Sequence, residues 1–276
     1  MSDEHLITPD PVPSALRDLP RAHGTDRPLH PATWGLHAWI RRLPEQRLLL
    51  LSLPDTINRT EVAERAGSAH ESEARAIGAF VATMVWGYGP VGYGALRTER
   101  VLSQNPQAGF VFQSVARVAR DEGPRAAFAS LASERLHHLS PAIGTKFVYF
   151  CTAAHRAAHR DRTAPVLDQV VRRWFHRNAG IELDGSWSLI NYFHYLDALE
   201  CWGDALGLAS DHVEALIVDQ ELAYGSGRPT SEASDQRTTG VEALEEVRVA
   251  IGRRGGDQES QARPHLEALT RLLTTA

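Results

Sequence analysis

The sequence predicts an all-α fold. Apolar residues recur at helical spacing through most of residues 60–210, Asn-Pro, Gly-Pro and Gly-rich breaks separate the periodic segments, and no apolar/polar alternation lasts beyond a short stretch. No repeat at solenoid periods appears. With 276 residues, 43% hydrophobic and 23% charged, the chain has the composition of a globular protein with a sizeable core. Its longest apolar runs, such as Leu48–Leu51, fall far short of the roughly 20 residues that span a bilayer. No charged-then-apolar leader opens it, so a cytoplasmic location and no membrane partner are expected.

Residues 1–31 are rich in Pro, Asp, Arg and His without periodicity, and are expected to form a poorly ordered lead-in. The helical body is expected over 32–224. From Thr60, with Glu61 and Glu64 following, a capped helical pattern runs through Ala74, Ile77, Phe80, Val81 and Met84 to about Trp86. Trp86 to Gly94 alternates aromatic residues with helix breakers, the composition of a loop that presents rings, among them Tyr88 and Tyr93. Helices are predicted over Ala95–Ser103, Ala108–Asp121 and Pro124–Arg135. A turn from Leu136 to Thr145 then leads into the apolar run Phe147–Cys151, placing Lys146 in the first turn of a helix. Pro165 and Asp168 open another helix through Val171 and Trp174, and Leu189, Tyr192, Phe193, Leu196, Leu199 and Leu206 mark a longer amphipathic one. Residues 225–276 read as a flexible linker followed by polar amphipathic helices.

Lysine usage singles out one residue. Of 29 basic residues only Lys146 is lysine, the others being arginine. Arginine stays protonated at any accessible pH, whereas lysine releases its proton when desolvated and can then act as an amine nucleophile. Chemistry at this position explains why one lysine persists where arginine has otherwise replaced it. A structural or phosphate-contacting lysine is the plainer alternative. The net charge of −5 argues mildly against a nucleic-acid partner, yet six arginines against two aspartates between His155 and Arg177 concentrate basic charge in one segment. A solvated basic face explains such a run equally well, and Arg156 is its candidate DNA contact.

On these residues the sequence resembles the helix-hairpin-helix DNA glycosylase superfamily, specifically bacterial proteins with an 8-oxoguanine DNA glycosylase fold. The superfamily hairpin reads Leu-Pro-Gly-Val-Gly-x-Lys, and Leu139, Ile143, Gly144, Thr145 and Lys146 occupy its leucine, aliphatic, glycine, variable and lysine places. Ser140 stands at the proline and Ala142 at a glycine, and Pro141 also departs from the pattern. Pro165-Val166-Leu167-Asp168 supplies the aspartate that follows a Pro-Val-like stretch at a helix start. The resemblance spans residues 60 to 210 and implies two helical subdomains around a DNA-binding cleft. It implies Lys146 as the amine that attacks C1′, with strand cleavage as a second step, and Asp168 as its carboxylate partner. Asp before a helix is otherwise most often a plain cap.

Backbone amides at a hairpin and helix terminus can hold a phosphate. Ser140, Gly144, Thr145 and Arg156 are therefore the candidate DNA contacts. A base inside a duplex must be flipped into a pocket before C1′ can be attacked, and Phe150, Trp86 and Tyr88 are the candidate pocket residues. Core packing explains each of those aromatics as readily. The 13 histidines, His137, His138 and His194 among them, show no metal-binding spacing, so neither metal nor cofactor is expected. Cys151 and Cys201 read as buried reduced thiols. The expected partner is double-stranded DNA carrying a modified base, an 8-oxoguanine-like lesion or a hypermodified phage base, and the expected state is a monomer. A non-catalytic helix-hairpin-helix DNA-binding module and a helical scaffold without a DNA role stay open as alternatives.

Overall fold

Residues 11–17 and 30–225, without 92 and 161, are described by a computed structural model. The chain begins with the single turn α1 (Ser14–Arg17), then β1 (Ala32–Thr33), α2 (Leu36–Arg42), α3 (Arg47–Leu51) and β2 (Thr56–Ile57). β1 and β2 pair antiparallel, Ala32 opposite Ile57 and Thr33 opposite Thr56, and are the one sheet among the described residues. All else is helical: α4 (Arg59–Ala66), α5 (Glu73–Tyr88), α6 (Tyr93–Gln104), α7 (Ala108–Asp121), α8 (Pro124–Glu134), α9 (Pro141–Ala154), α10 (Gln169–Ala179), α11 (Leu189–Leu206) and α12 (Ser210–Gly225). The described residues up to Glu221 belong to one compact unit, and a second begins at Leu222. The linker and helices predicted after Tyr224, and most of the predicted lead-in, lie outside the described residues. Within that lead-in, α1 is helical and buries Leu16.

The fold is built around α9, which packs against α4, α5, α7 and α8. Its sequence explains this place: an almost wholly apolar helix has to be covered on all sides. Between Ile143 and Ala153 every residue except Lys146 is buried. Phe147 enters a stack of Phe80 from α5 and Phe112 from α7, whose rings lie 4.3 Å apart at 20°.

Local signals set the helix starts. Asn58 caps α4 through the amides of Thr60 and Glu61, and Glu61 returns a bond to the Asn58 amide, a complete capping box. Ser72 caps α5 and Ser188 caps α11. The single helix predicted from Thr60 to Trp86 is thus two, because the turn after Ala66 ends α4 and Ser72 starts a new one. α5 continues to Tyr88, so Trp86 and Tyr88 are helical rather than loop residues, and Tyr93 already begins α6. Gly89, at φ +53°, ends α5. Within the helical body expected over 32–224, the sequence pattern does not single out α12, whose acidic residues interrupt its apolar stripe.

Candidate active site

Lys146 is the sixth residue of α9, one turn further in than the sequence suggested. The helix begins at Pro141 with Ser140 at the N-cap, because proline's fixed φ and missing N–H suit the first turn. The hairpin before it departs from glycine chemistry: Arg135 (φ +44°) and His138 (φ +63°) take the left-handed positions. Arg97 of α6 and Asn105, just after that helix, hold the turn. Asn105 accepts from the His137 amide at 2.9 Å and donates to the His137 carbonyl at 3.0 Å, while Arg97 donates to the His138 carbonyl at 3.2 Å.

Asp168 is the N-cap of α10, and its two oxygens are divided. Oδ1 accepts from the amides of Val170 (3.0 Å) and Val171 (3.3 Å). Oδ2 accepts from Lys146 Nζ at 2.9 Å. The lysine side chain is 12% exposed and the aspartate 22%. Burial pushes the Asp168 carboxyl up, but the Lys146 charge, its hydrogen bond and the two helix amides outweigh this and hold it below the ordinary carboxylate value. Capping and pairing therefore draw on one carboxylate without competing for an oxygen.

The approach of Asp168 to the lysine is fastened along residues 164–168. Thr152 accepts from the Ala164 amide at 3.0 Å, and Thr145, two turns earlier on α9, accepts from the Leu167 amide at 3.2 Å. From α11, Tyr192 donates to the Pro165 carbonyl at 2.9 Å and Tyr195 to the Val166 carbonyl at 2.7 Å. Burial raises both phenols well above their ordinary value, which keeps them protonated donors. From the sequence Tyr192 is only one residue of an amphipathic stripe and Tyr195 is not singled out; spacing places them on one face of a helix but does not say what their hydroxyls hold.

Three residues read as DNA contacts have internal roles. The Gly144 amide donates to the Ser140 carbonyl at 2.9 Å inside α9, so it has no lone N–H to offer a phosphate. A Cβ there would lie 2.2 Å from Trp187 Cη2, so the glycine permits a close approach of Trp187 to α9. Thr145 is buried and engaged with Leu167. Arg156 donates to Asp211 Oδ2 at 3.0 Å, and Asp211 is fully buried, so its positive charge compensates an internal carboxylate. Ser140 is half-buried and makes no side-chain cap bond.

The candidate pocket aromatics are packed against protein. Phe150 is fully buried, its ring 5.1 Å from that of Trp86 at 88°. Half-buried Trp86 donates its indole N–H to the His30 carbonyl at 2.8 Å. Tyr88 is half-buried and meets the Tyr93 ring edge-on at 6.4 Å. His137, His138 and His194 are exposed. Cys151 is buried, which pushes its thiol up, but Cys201 is only partly covered, contrary to the sequence expectation. Among the described residues no group of three or more His, Cys, Asp or Glu is placed to hold a metal ion, and no helix is long and apolar enough to cross a membrane.

A protein-family model described as "Putative 8-oxoguanine DNA glycosylase OGG-like protein" matches residues 25–217. The chain belongs to that family. The match takes in the hairpin, Lys146, Asp168 and the tyrosines of α11, so the all-α body is glycosylase-like and DNA is the partner class that membership implies. No curated protein and no solved structure matches the chain.

Proposed function

We propose that this member of the glycosylase family excises a modified base from duplex DNA with Lys146 as nucleophile and Asp168 as its proton acceptor. The observation that carries the reading is the 2.9 Å contact between the chain's single lysine and a capping carboxylate, at a point that solvent reaches. A base in a duplex cannot expose C1′, so the nucleotide is flipped out first.

The ammonium gives a proton to Asp168 Oδ2, freeing the nitrogen lone pair. A C1′–Nζ bond forms as the glycosidic bond breaks, and the base leaves with that electron pair and takes up the proton held by Asp168, which returns to its carboxylate form. The Asp168 carboxylate, held in place by two helix amides, stabilises positive charge that develops on the sugar. Opening of the sugar, with a proton passing from Nζ to O4′, leaves a protonated imine, and loss of a C2′ proton then expels the 3′ phosphate, which is the lyase step. Ser140, next to the hairpin, is the proposed phosphate contact.

The proposed substrate is an 8-oxoguanine-like lesion, or a hypermodified base in phage DNA if the chain serves antiphage defence. Oligonucleotides carrying each base opposite each partner test this. Base release by the wild type, absent in Lys146→Gln, is the expected result. DNA binding with no release of any modified base, retained in Lys146→Arg, would replace the reading with a non-catalytic DNA-binding module.

A further inference from the structure

At one point α5 and α9 meet with no side chain from α5 between them. A Cβ built on Gly87 would lie 3.2 Å from Lys146 Cδ and 3.6 Å from Cε, so the lysine stem runs across bare backbone. The first of these distances is tighter than packed carbons adopt, and a methyl group there would displace the stem by a few tenths of an ångström. The neighbouring residue closes the same junction: Trp86 meets Phe150, one turn beyond Lys146 on α9. Helix termination does not explain this glycine, since Gly89 with its positive φ supplies the stop. Glycine also weakens a helix relative to alanine.

We propose that Gly87 is a positioning residue for the Lys146 amine. Its missing side chain leaves the track along which the stem reaches Asp168, so that the carboxylate fixes one end of the lysine and the Gly87 backbone fixes its path. A lysine stem has several rotatable bonds, and holding it in one path removes conformers that would carry Nζ away from the carboxylate. The chemical part of this inference rests on the reading of Lys146 as the nucleophile.

Gly78 provides an internal control on the same helix. A Cβ there would meet only the Leu49 methyls, at 3.6 and 3.7 Å, which is ordinary packing. Gly78→Ala and Gly87→Ala therefore make the same replacement on one helix, in its interior and in its last turn, and only the second touches the lysine. Because Lys146 is the single lysine, protein grown with 13C,15N-lysine reports this side chain alone.

The experiment has two parts. In the labelled wild type, nuclear Overhauser contacts are expected from the Lys146 δ and ε protons to the Gly87 α protons. In borohydride trapping on abasic-site DNA, Gly87→Ala is expected to slow adduct formation about threefold to tenfold and to move the pH profile of trapping, because the amine–carboxylate geometry changes. Gly78→Ala should match wild type in both. A purely structural role would lower the melting temperature and leave the pH profile in place. Absent contacts in the wild type, or a Gly87→Ala rate and profile equal to wild type, would overturn the inference. A wild type that gives no adduct refutes the nucleophile and its positioning together, whether or not the contacts are seen, which separates that failure from a failure at Gly87. The contacts are read without any substitution, so they decide the path of the stem even if Gly87→Ala folds poorly.

Discussion

Two ion pairs of this protein join a cation to a carboxylate near a helix start, and they are built for opposite ends. In the first, Arg59 of α4 makes two bonds to Glu214 of α12, at 2.6 and 3.0 Å, with side chains only 4% and 1% exposed. The guanidinium lies between the rings of Trp86 and Tyr149, 5.3 and 5.1 Å from their centroids. Burial opposes the Arg59 charge, and Glu214 with Tyr149 more than offsets it, so the group stays charged. In the second, Lys146 makes one bond to Asp168, both partners reach solvent, and the other carboxylate oxygen belongs to the helix amides. The first pair is sealed, two-pronged and made by the residue that never releases its proton. The second is single-pronged, open at one side and made by the residue that can. Placement and residue type together separate a pair that holds the fold from one that can react.

The largest effect that sharpens this contrast is expected from Asp168→Asn. Asparagine caps a helix as well as aspartate does but cannot take up the amine proton, so trapping and base release should fall about 10²- to 10⁴-fold while the urea midpoint falls only modestly, by the lost charge of the ion pair. Wild-type trapping and base release in Asp168→Asn would make Asp168 a cap alone. Next in size, Glu214→Gln leaves a buried guanidinium without its counter-charge and should cost about 3–5 kcal/mol in urea unfolding. Under conditions where that variant stays folded, its adduct rate should remain near wild type. An equal loss of activity in the folded variant would erase the distinction between the pairs.

Gly144→Ala is expected to cost about 1–3 kcal/mol through overpacking against Trp187, with salt-dependent DNA affinity unchanged in the folded fraction. Weakened DNA binding without lost stability would restore Gly144 as a phosphate contact.

The smallest effect is on pH dependence. The folded Asp168 carboxyl is held below its ordinary value, so its stabilising contribution is fully present above about pH 4 and is lost as pH falls through the lower folded value. The urea midpoints of wild type and Asp168→Asn should therefore converge on acidification. Midpoints that stay apart at the lowest pH would place the coupling elsewhere.

Both members of the Lys146–Asp168 pair stood out in the sequence, and those of the sealed pair did not. Lysine scarcity along the whole chain marked residue 146, and the local Pro-Val-Leu-Asp stretch marked a capped helix start at 168, because neither signal needs the fold. Helix α7 likewise spans the residues its periodicity predicts. Arg59 and Glu214 lie 155 residues apart, and no local pattern shows that they meet. The same limit hid the partner of Arg156: a basic run reads as surface charge until the chain folds Asp211 against it. Gly144 and Thr145 read as hairpin residues because the sequence does not show that Ser140 and Pro141 are a cap and first helical residue rather than turn positions. Register along the chain decided which amides are free.

The most direct measurement is borohydride trapping on duplex DNA that contains an abasic site, which bypasses base recognition. Wild type should form a covalent adduct, and Lys146→Gln, folded by the same melting criterion, should form none. No adduct from wild type, or equal trapping by Lys146→Gln, would contradict Lys146 as the nucleophile.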